Sequence, residues 1–374
     1  MSKNTGIANA NHGNELRIQR VSSSRILQVD FDRLGFGDVF SDHMFSLRYF
    51  DGAWQTPEII PYAPISVEPA CLALHYGQTV FEGLKAFRGV DGQIRLFRPD
   101  RNEVRLESSC LRLCIPPLPR GMLELAIRKL IWLDHAWIPH RRGQSLYLRP
   151  LIFAEESHLG VRPASRYRFL LMTAPVGNYH PGGMEAIGLK VKERFARAAP
   201  GGVGGAKTAG NYAASLLPAR ESHDEGFDQV LWLDATTQAQ VEEVGHMNIF
   251  FHLAGRVVTP ALNGTILPGV TRESVLALLR EHGYTAEERP IAIREVIDGA
   301  CDGTLAEAFG TGTATVIAPV GRIGYREHTY EIHGNRPGPL AEWLYGQLLG
   351  IQHGELADPH DWTVNLGLPP FMQP

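Results

Sequence analysis

The stretch Gly201-Gly202-Val203-Gly204-Gly205-Ala206-Lys207-Thr208-Ala209-Gly210-Asn211-Tyr212 gathers the residue types most able to do chemistry. Its glycines carry no side chain to crowd a ligand, and they permit positive φ and close backbone approach. It presents one lysine, Lys207, ahead of a helix expected over 213–222. A lysine so placed either holds phosphate as a charge or forms a Schiff base with a carbonyl as an amine. A phosphate-binding P-loop requires a glycine directly before the lysine and an entering strand. Here Ala206 takes that glycine's place, and 193–200 is a charged, broken run. A solvated lysine on a surface loop is the plainer alternative.

Three further stretches bear on the choice. Leu267-Pro268-Gly269-Val270-Thr271-Arg272 leads into an amphipathic helix expected over 271–282, with Thr271 as its N-cap. Free N–H groups at such a helix start can receive phosphate, or the threonine can simply cap it. Phe309-Gly310-Thr311-Gly312-Thr313-Ala314 joins two strands with small residues whose backbone donors can form an anion nest, or an ordinary turn. In a strand expected over 240–251, alternation turns one of Glu242 and Glu243 inward. An inward carboxylate requires a cation, either an arginine or a protonated ring nitrogen. Tyr147-x-Arg149 places both side chains on one strand face, where Arg149 can receive a substrate carboxylate or an ordinary acidic partner.

The elements that must position these groups read as α+β. Hairpins are expected around Asp51-Gly52 and Asp91-Gly92, helices over 98–113 and 122–133, and well-covered strands over 145–153 and 167–176. Turn-forming residues at 176–183 mark a linker. This divides the chain into an N-terminal domain over 1–177, with a polar tail over about 1–15, a linker over 178–184 and a C-terminal domain over 185–374. Strands follow near 187–192, 229–234, 256–259, 305–309, 313–319 and 329–332, and a closing helix over 339–353. With 374 residues, 44% hydrophobic and 20% charged, the chain can bury two cores. A net charge of −4 without runs of one sign gives no footprint for nucleic acid or an anionic membrane. No apolar stretch is long enough to span a bilayer, the first residues do not read as a signal peptide, and a cytoplasmic protein is expected. Cys71, Cys110, Cys114 and Cys301 read as inert thiols, with Cys110 and Cys114 spaced to share a helix face. The fifteen histidines show no metal-binding spacing, so no catalytic metal is expected.

A lysine, an inward glutamate and two anion-binding turns are the parts a pyridoxal phosphate enzyme needs. From about 44 to 365 the sequence resembles the branched-chain amino acid aminotransferases of the class IV, fold-type-IV family. The resemblance is carried by Leu74-His75-Tyr76, Phe81-Glu82-Gly83-Leu84-Lys85-Ala86-Phe87-Arg88-Gly89, Tyr147-Leu148-Arg149-Pro150, the Lys207 loop through Tyr212, Val230-Leu231-Trp232-Leu233, Glu243-Val244-Gly245, Leu267 through Arg272, and Gly312-Thr313-Ala314. It implies a small N-terminal α/β domain and a larger cofactor domain with a pseudo-barrel sheet. It also implies pyridoxal 5′-phosphate on Lys207, with that lysine as proton shuttle, and a homodimer with sites near the interface. Glu243 would face the pyridine nitrogen, Tyr212 the phenolic oxygen, and Arg105, Val270, Thr271 and Thr313 the phosphate. The choice of Arg105 over Arg98 and Arg101 rests on the resemblance alone. Arg197 would lie near the cofactor. Tyr76, Phe81, Gly83, Tyr147, Arg149 and Tyr179 would line the substrate pocket, with the Thr313 and Ala314 amides receiving the α-carboxylate.

The implied reaction is transamination of leucine, isoleucine and valine with 2-oxoglutarate. A pocket for both an apolar branch and a γ-carboxylate suits tyrosines, which have apolar bodies and polar tips. Two departures stand out: His246 occupies a place where many relatives have threonine or a small residue, and Thr315 and Ala318 replace the Cys-x-x-Cys pair of the mammalian enzymes. Within the same fold, a D-amino acid aminotransferase or an aminodeoxychorismate lyase is the alternative; outside it, a silent anion-binding scaffold.

Overall fold

A computed structural model describes residues 16–179 and 184–367. The linker expected at 178–184 and the tail at 1–15 therefore fall wholly or largely outside the described residues. Two sheets dominate the chain. The first has ten strands, built around a long antiparallel pair, Ser145–Ala154 and Tyr167–Val176, in unbroken register from Ser145↔Val176 to Ala154↔Tyr167. Both strands are almost wholly buried, as their apolar, β-branched and aromatic residues require when both faces are covered. Helices Pro99–Arg112 and Met122–Leu133 lay Leu106, Cys110, Leu123, Ile127 and Leu130 onto this sheet. At the Asp51-Gly52 hairpin both residues take positive φ, 52° and 77°, the conformation that a tight hairpin turn demands. The strand Thr363–Gly367, near the chain's end, returns to pair with Ile94–Phe97 at the edge of this first sheet.

The second sheet has nine strands of mixed direction. Ile187–Val191 runs parallel to both its neighbours, Gln229–Leu233 and Val316–Tyr325, while Leu305–Gly312 lies antiparallel between Val316–Tyr325 and Asn248–Leu253. The helix Ile293–Asp302 covers one side of this sheet. On the other, helices Val270–Glu281 and Pro339–Gln352 share a core with Phe250 and Phe309 of this sheet and Phe87 and Phe97 of the first. That shared core ties the two sheets together beside the chemical groups.

Several elements differ from the expectation. The strand expected over 240–251 is two, Val241–Val244 and Asn248–Leu253, because Gly245 takes φ +52° and reverses the chain. The helix over 213–222 is two short ones, Ala209–Ala213 and Leu216–Asp224. Thr271 is not an N-cap: Gly269 is, and Thr271 is the second helical residue. Cys110 and Cys114 do not share a helix face, since the helix stops at Arg112 and Cys114 is exposed at φ +55°. Burial pushes the Cys110 thiol up to about 12, which leaves it unreactive. The strand expected from Thr313 starts at Val316, because Thr313 to Thr315 form the turn itself.

The closing helix has Pro339 at its start and no side-chain cap of its own. Its first free N–H groups are met from outside by Glu307, whose carboxylate oxygens accept from Leu340 N at 3.0 Å and Ala341 N at 3.1 Å. Glu307→Ala leaves both donors buried and unpaired, so it should lower the free energy of unfolding by about 1–3 kcal/mol. Urea titration checks this; a loss of less than about 0.5 kcal/mol, the range of a neutral surface change, would remove Glu307 from this role.

Candidate active site

The Lys207 loop is fastened from both sides. Its backbone N–H donates to Ser109 Oγ of the Pro99–Arg112 helix at 2.9 Å, and its carbonyl accepts from Phe81 N at 3.0 Å. Asn211 Nδ2 donates to the carbonyls of Val203 and Ala206, closing the glycine loop on itself. The Lys207 side chain thus enters the gap between the sheets from a fixed base. Its Nζ donates to Tyr212 Oη at 2.7 Å and stands 5.0 Å from the Phe81 ring centroid. Burial and then the Arg105 charge pull its pKa down to about 8, against the opposing pull of Glu82. Burial, reinforced by the Glu243 charge, pushes the Tyr212 phenol up to about 12, so it remains protonated.

Two cavities meet at this lysine. The narrower one is bounded by Arg105, Lys207, Glu243, Val270, Thr271 and Thr313, together with Asn248, Gly269 and Thr311. The wider, about 550 Å³, is lined by Phe81, Gly83, Tyr147, Arg149, Tyr179, Tyr212, Thr313 and Ala314 among others. Lys207, His246, Gly312 and Thr313 border both. Most residues singled out in the sequence therefore converge on one place.

Two do not line it. Tyr76 ends the short helix Leu72–Tyr76 on the outer surface, 43% exposed, with its hydroxyl donating to the Leu159 carbonyl. Within a single chain it is no wall of the pocket. Arg197 stands behind Glu243, with Nη2 3.2 Å from Glu243 Oε1 and bonded to the Gly204 and Thr265 carbonyls. It reaches the cavity only through that glutamate.

The arginine partner considered for the inward glutamate is thus present. Even so, burial outweighs Arg197 and the Leu267 N–H, which donates to Glu243 Oε1 at 2.6 Å, and pushes the Glu243 carboxyl up to about 7. A carboxylate so hard to ionise gains from a further cation in the cavity. Glu242 is also buried; it accepts from the Thr265 hydroxyl, and its Oε2 has no partner among the described residues. Its position outside both cavities agrees with alternation.

Arg105 is held by Glu82, a residue that pattern and spacing leave without a role. Glu82 is fully buried and takes Arg105 Nε at 2.7 Å and Nη2 at 2.8 Å, with Asn102 Nδ2 at 2.8 Å. Burial works against its charge, but the Arg105 charge and these hydrogen bonds win and hold the carboxyl below its ordinary range. Arg105 Nη1 also donates to the Pro268 carbonyl at 3.0 Å. Three of the five guanidinium donors are thus used, and two remain for an anion. An acidic residue between two largely apolar strands is a signal for such a buried partner. Phe36, stacked edge-on to Tyr147 at 5.0 Å, lines the wide cavity and carried no comparable signal.

Local sequence explains the remaining geometry. At Gly83 a Cβ would collide with Tyr147 Oη, so glycine is what admits that hydroxyl. Tyr147 Oη accepts from Arg149 Nη2 at 3.0 Å, and the guanidinium lies 4.9 Å over the Phe81 ring. Arg149 makes no ion pair among the described residues, so its charge is open to a ligand carboxylate. Lys85, the other buried lysine here, has its pKa pulled down to about 7 by burial, and its Nζ is committed to the Ala314 carbonyl at 2.7 Å. It braces the Thr313–Ala314 turn and leaves Lys207 as the amine facing both cavities. Among the described residues no group of His, Cys, Asp and Glu has the size of a metal site, and no helix is long and apolar enough to cross a membrane.

A reactive lysine in a two-sheet cleft, flanked by an arginine, a helix start and a buried glutamate, is the arrangement of a fold-type-IV aminotransferase. Residues 79–323 match the model of the amino-transferase class IV family, and the chain belongs to that family. It is 47% identical over 347 residues to branched-chain-amino-acid aminotransferase 2 of Bacillus subtilis, covering 92% of this chain and 96% of that one. It is likewise 47% identical to the branched-chain-amino-acid aminotransferase of Mycobacterium tuberculosis, over 89% of this chain and 92% of that protein. Among solved structures, the Escherichia coli branched-chain amino acid aminotransferase aligns with a TM-score of 0.71 at 27% identity, over 86% of this chain and 99% of that one. The T.th. branched-chain amino acid aminotransferase, complexed with N-(5′-phosphopyridoxyl)-L-glutamate, aligns at 0.70 and 25% identity, over 90% and 99%. The protein is an aminotransferase with the α+β architecture of this fold type.

The depressed pKa of Lys207 has a direct consequence in the protein free of cofactor. Only the neutral amine is a nucleophile, and its fraction grows as pH rises through about 8. Limited acylation followed by peptide mass analysis should show Lys207 labelling rise between about pH 7 and 9 and then level off. Exposed lysines should keep rising toward about 10.4. A Lys207 profile that tracks the exposed lysines would contradict the desolvated site.

Proposed function

We propose that this protein moves the amino group between branched-chain L-amino acids and 2-oxoglutarate in a ping-pong cycle, with pyridoxal 5′-phosphate bound at Lys207. The observation that carries the reading is the position of Lys207, a half-buried amine of depressed pKa at the junction of an anion-binding cavity and an aromatic one. When bound, pyridoxal phosphate supplies an electrophilic carbonyl and an electron-withdrawing ring. The residues fit it. Arg105, with two donors free, and the uncapped start of the Val270–Glu281 helix suit a phosphate, joined by the Thr271 and Thr313 hydroxyls. The buried Thr311 hydroxyl on the same wall has no protein partner among the described residues, and a Cβ at Gly269 would collide with Asn248 Oδ1. Glu243 would face a protonated ring nitrogen, and Tyr212 a phenolic oxygen.

The chain's own groups then divide the work. Lys207 Nζ would hold the cofactor and, as a neutral amine, would take the proton from the substrate α-carbon and later return one. Tyr212, kept protonated, steadies that amine through its hydroxyl. The Thr313 and Ala314 N–H groups receive the α-carboxylate on a turn that Lys85 braces. Phe81, Tyr147 and Tyr179 pack an apolar branch, and Arg149 takes the γ-carboxylate of glutamate. Tyr76 serves the pocket of a second copy: the protein is a homodimer, and exposed Leu74, Tyr76, Leu159 and Val161 are the surface that the partner covers. The protein acts in the cytoplasm, with residues up to 177 forming one domain and those from 185 the cofactor domain.

Loss of a charge-assisted contact costs about 1.5–3 kcal/mol. Arg149→Met should therefore reduce kcat/KM for glutamate and 2-oxoglutarate by about 10- to 100-fold while leucine loses little. Equal losses for both substrate types would make Arg149 structural. Glu243→Gln should leave the covalent link to Lys207 intact but slow single-turnover conversion with excess leucine about 100-fold or more, the scale of a positioned charge at a reacting centre. Glu242→Gln should lower unfolding stability with a smaller effect on that rate. The reverse ranking would contradict the role of Glu243. Assays with leucine, D-alanine and aminodeoxychorismate separate the proposed activity from its alternatives.

A further inference from the structure

One side chain borders both cavities without a part in the mechanism above. His246 sits at the tip of the turn between Val241–Val244 and Asn248–Leu253. That turn is rigid: Val244 N donates to Met247 O at 2.9 Å, and Met247 N donates to Val244 O at 2.7 Å. Gly245 cannot easily be replaced, since it has φ +52° and a Cβ there would collide with Gln229 Oε1. The tip therefore presents a single side chain, and the neighbours Val244 and Met247 are buried while the His246 ring opens into the cleft. The ring lies against Tyr212, with centroids 4.9 Å apart and planes tilted by 35°, and Tyr212 in turn lies 4.8 Å from Phe81. Among the described residues its nitrogens make no hydrogen bond. The side chain is exposed toward the cleft, yet partial desolvation there, with the Lys207 and Arg197 charges, lowers its pKa, so the ring stands neutral beside the Lys207 amine.

We propose that His246 is a specificity-determining residue, an aromatic wall at the junction of the two cavities that limits the size of the substrate side chain. This role rests on the aminotransferase reading above. A substrate whose α-carbon reaches Lys207 must lie at this junction, because Lys207, His246 and Thr313 border it together. Its side chain then leaves the α-carbon between the aromatic faces of Phe81, Tyr147 and His246. The two-residue turn fixes where the His246 Cα stands, and Tyr212 backs the ring, so the ring fills this side of the junction. In an apolar pocket, a misfit of one methylene changes discrimination by about 10- to 200-fold.

The experiment compares kcat/KM for phenylalanine and valine in the wild-type holoenzyme and in His246→Ala, His246→Thr and His246→Phe. A second readout is equilibrium binding of two unreactive acids, 3-methylbutanoate and 3-phenylpropanoate, followed by the absorbance of the bound cofactor. His246→Ala and His246→Thr should raise the phenylalanine-to-valine ratio at least about tenfold and tighten 3-phenylpropanoate relative to 3-methylbutanoate. His246→Phe, which restores a ring without nitrogens, should hold both ratios within about twofold of wild type. If one truncated variant fails to retain cofactor, the other carries the comparison, and the acid-binding ratio stands apart from turnover. Unchanged ratios in the truncated variants, or a His246→Phe shift as large as theirs, overturn the proposal. A wild-type enzyme that turns over no branched-chain substrate would instead overturn the activity, so the two failures are distinct.

Discussion

A carboxylate with no exposure to solvent, Glu82, and the arginine it grips set the terms for the rest of the cleft. Taking either charge out of water alone is costly, and breaking such a buried pair by removing one partner costs about 3–5 kcal/mol. Here the pair is bidentate, with Asn102 and the Gly83 N–H completing the carboxylate's shell. Glu82 follows a first-sheet strand, Arg105 lies on the helix above it, and Arg105 also reaches the Pro268 carbonyl ahead of the helix at Val270. One ionic contact thus joins three elements and aims a guanidinium into the cavity. It also fixes the spacing between the strand that carries Phe81 and the wall that carries Thr271.

The other charges adjust to that anchor. Burial and Arg105 together depress Lys207, while Glu82 resists, so the amine settles near neutrality without ceasing to be basic. Glu243 is driven the opposite way by burial and by Glu242, despite Arg197. The result is a base that gives up its proton more easily than a free lysine and an acid reluctant to lose one, at about 8 and about 7, both bordering the narrow cavity. Groups poised in this way are what proton transfer at a carbon centre requires. The cost of burying them is offset elsewhere, in the aromatic core of Phe87, Phe97, Phe250 and Phe309 that closes the two sheets on each other.

Much of this was legible in the residues themselves. The glycine loop announced Lys207, the hairpin glycines placed the first-sheet turns, and nearly unbroken apolar runs gave the long strands almost to the residue. What was not legible depends on contacts distant in sequence. The turn at Gly245 hid inside an apolar run, because φ is not written in composition. Phe36 reaches Tyr147 from a segment with no periodic signal. Glu82 sat in a motif whose apolar neighbours drew attention, although its burial demanded a cation. Tyr76 stands at the surface of the single chain, away from both cavities, because the short helix it ends lies on the outside.

The proposed chemistry of the cleft turns on which amine would carry the cofactor, and Lys85 is the informative rival, being more buried than Lys207 and more strongly depressed. Borohydride reduction of the holoenzyme, followed by digestion and peptide mass mapping, decides it. The phosphopyridoxyl mass is expected on the peptide that contains Lys207 and on no other. The same mass on the Lys85 peptide, or on any other lysine with Lys207 unmodified, would contradict the central role given to Lys207.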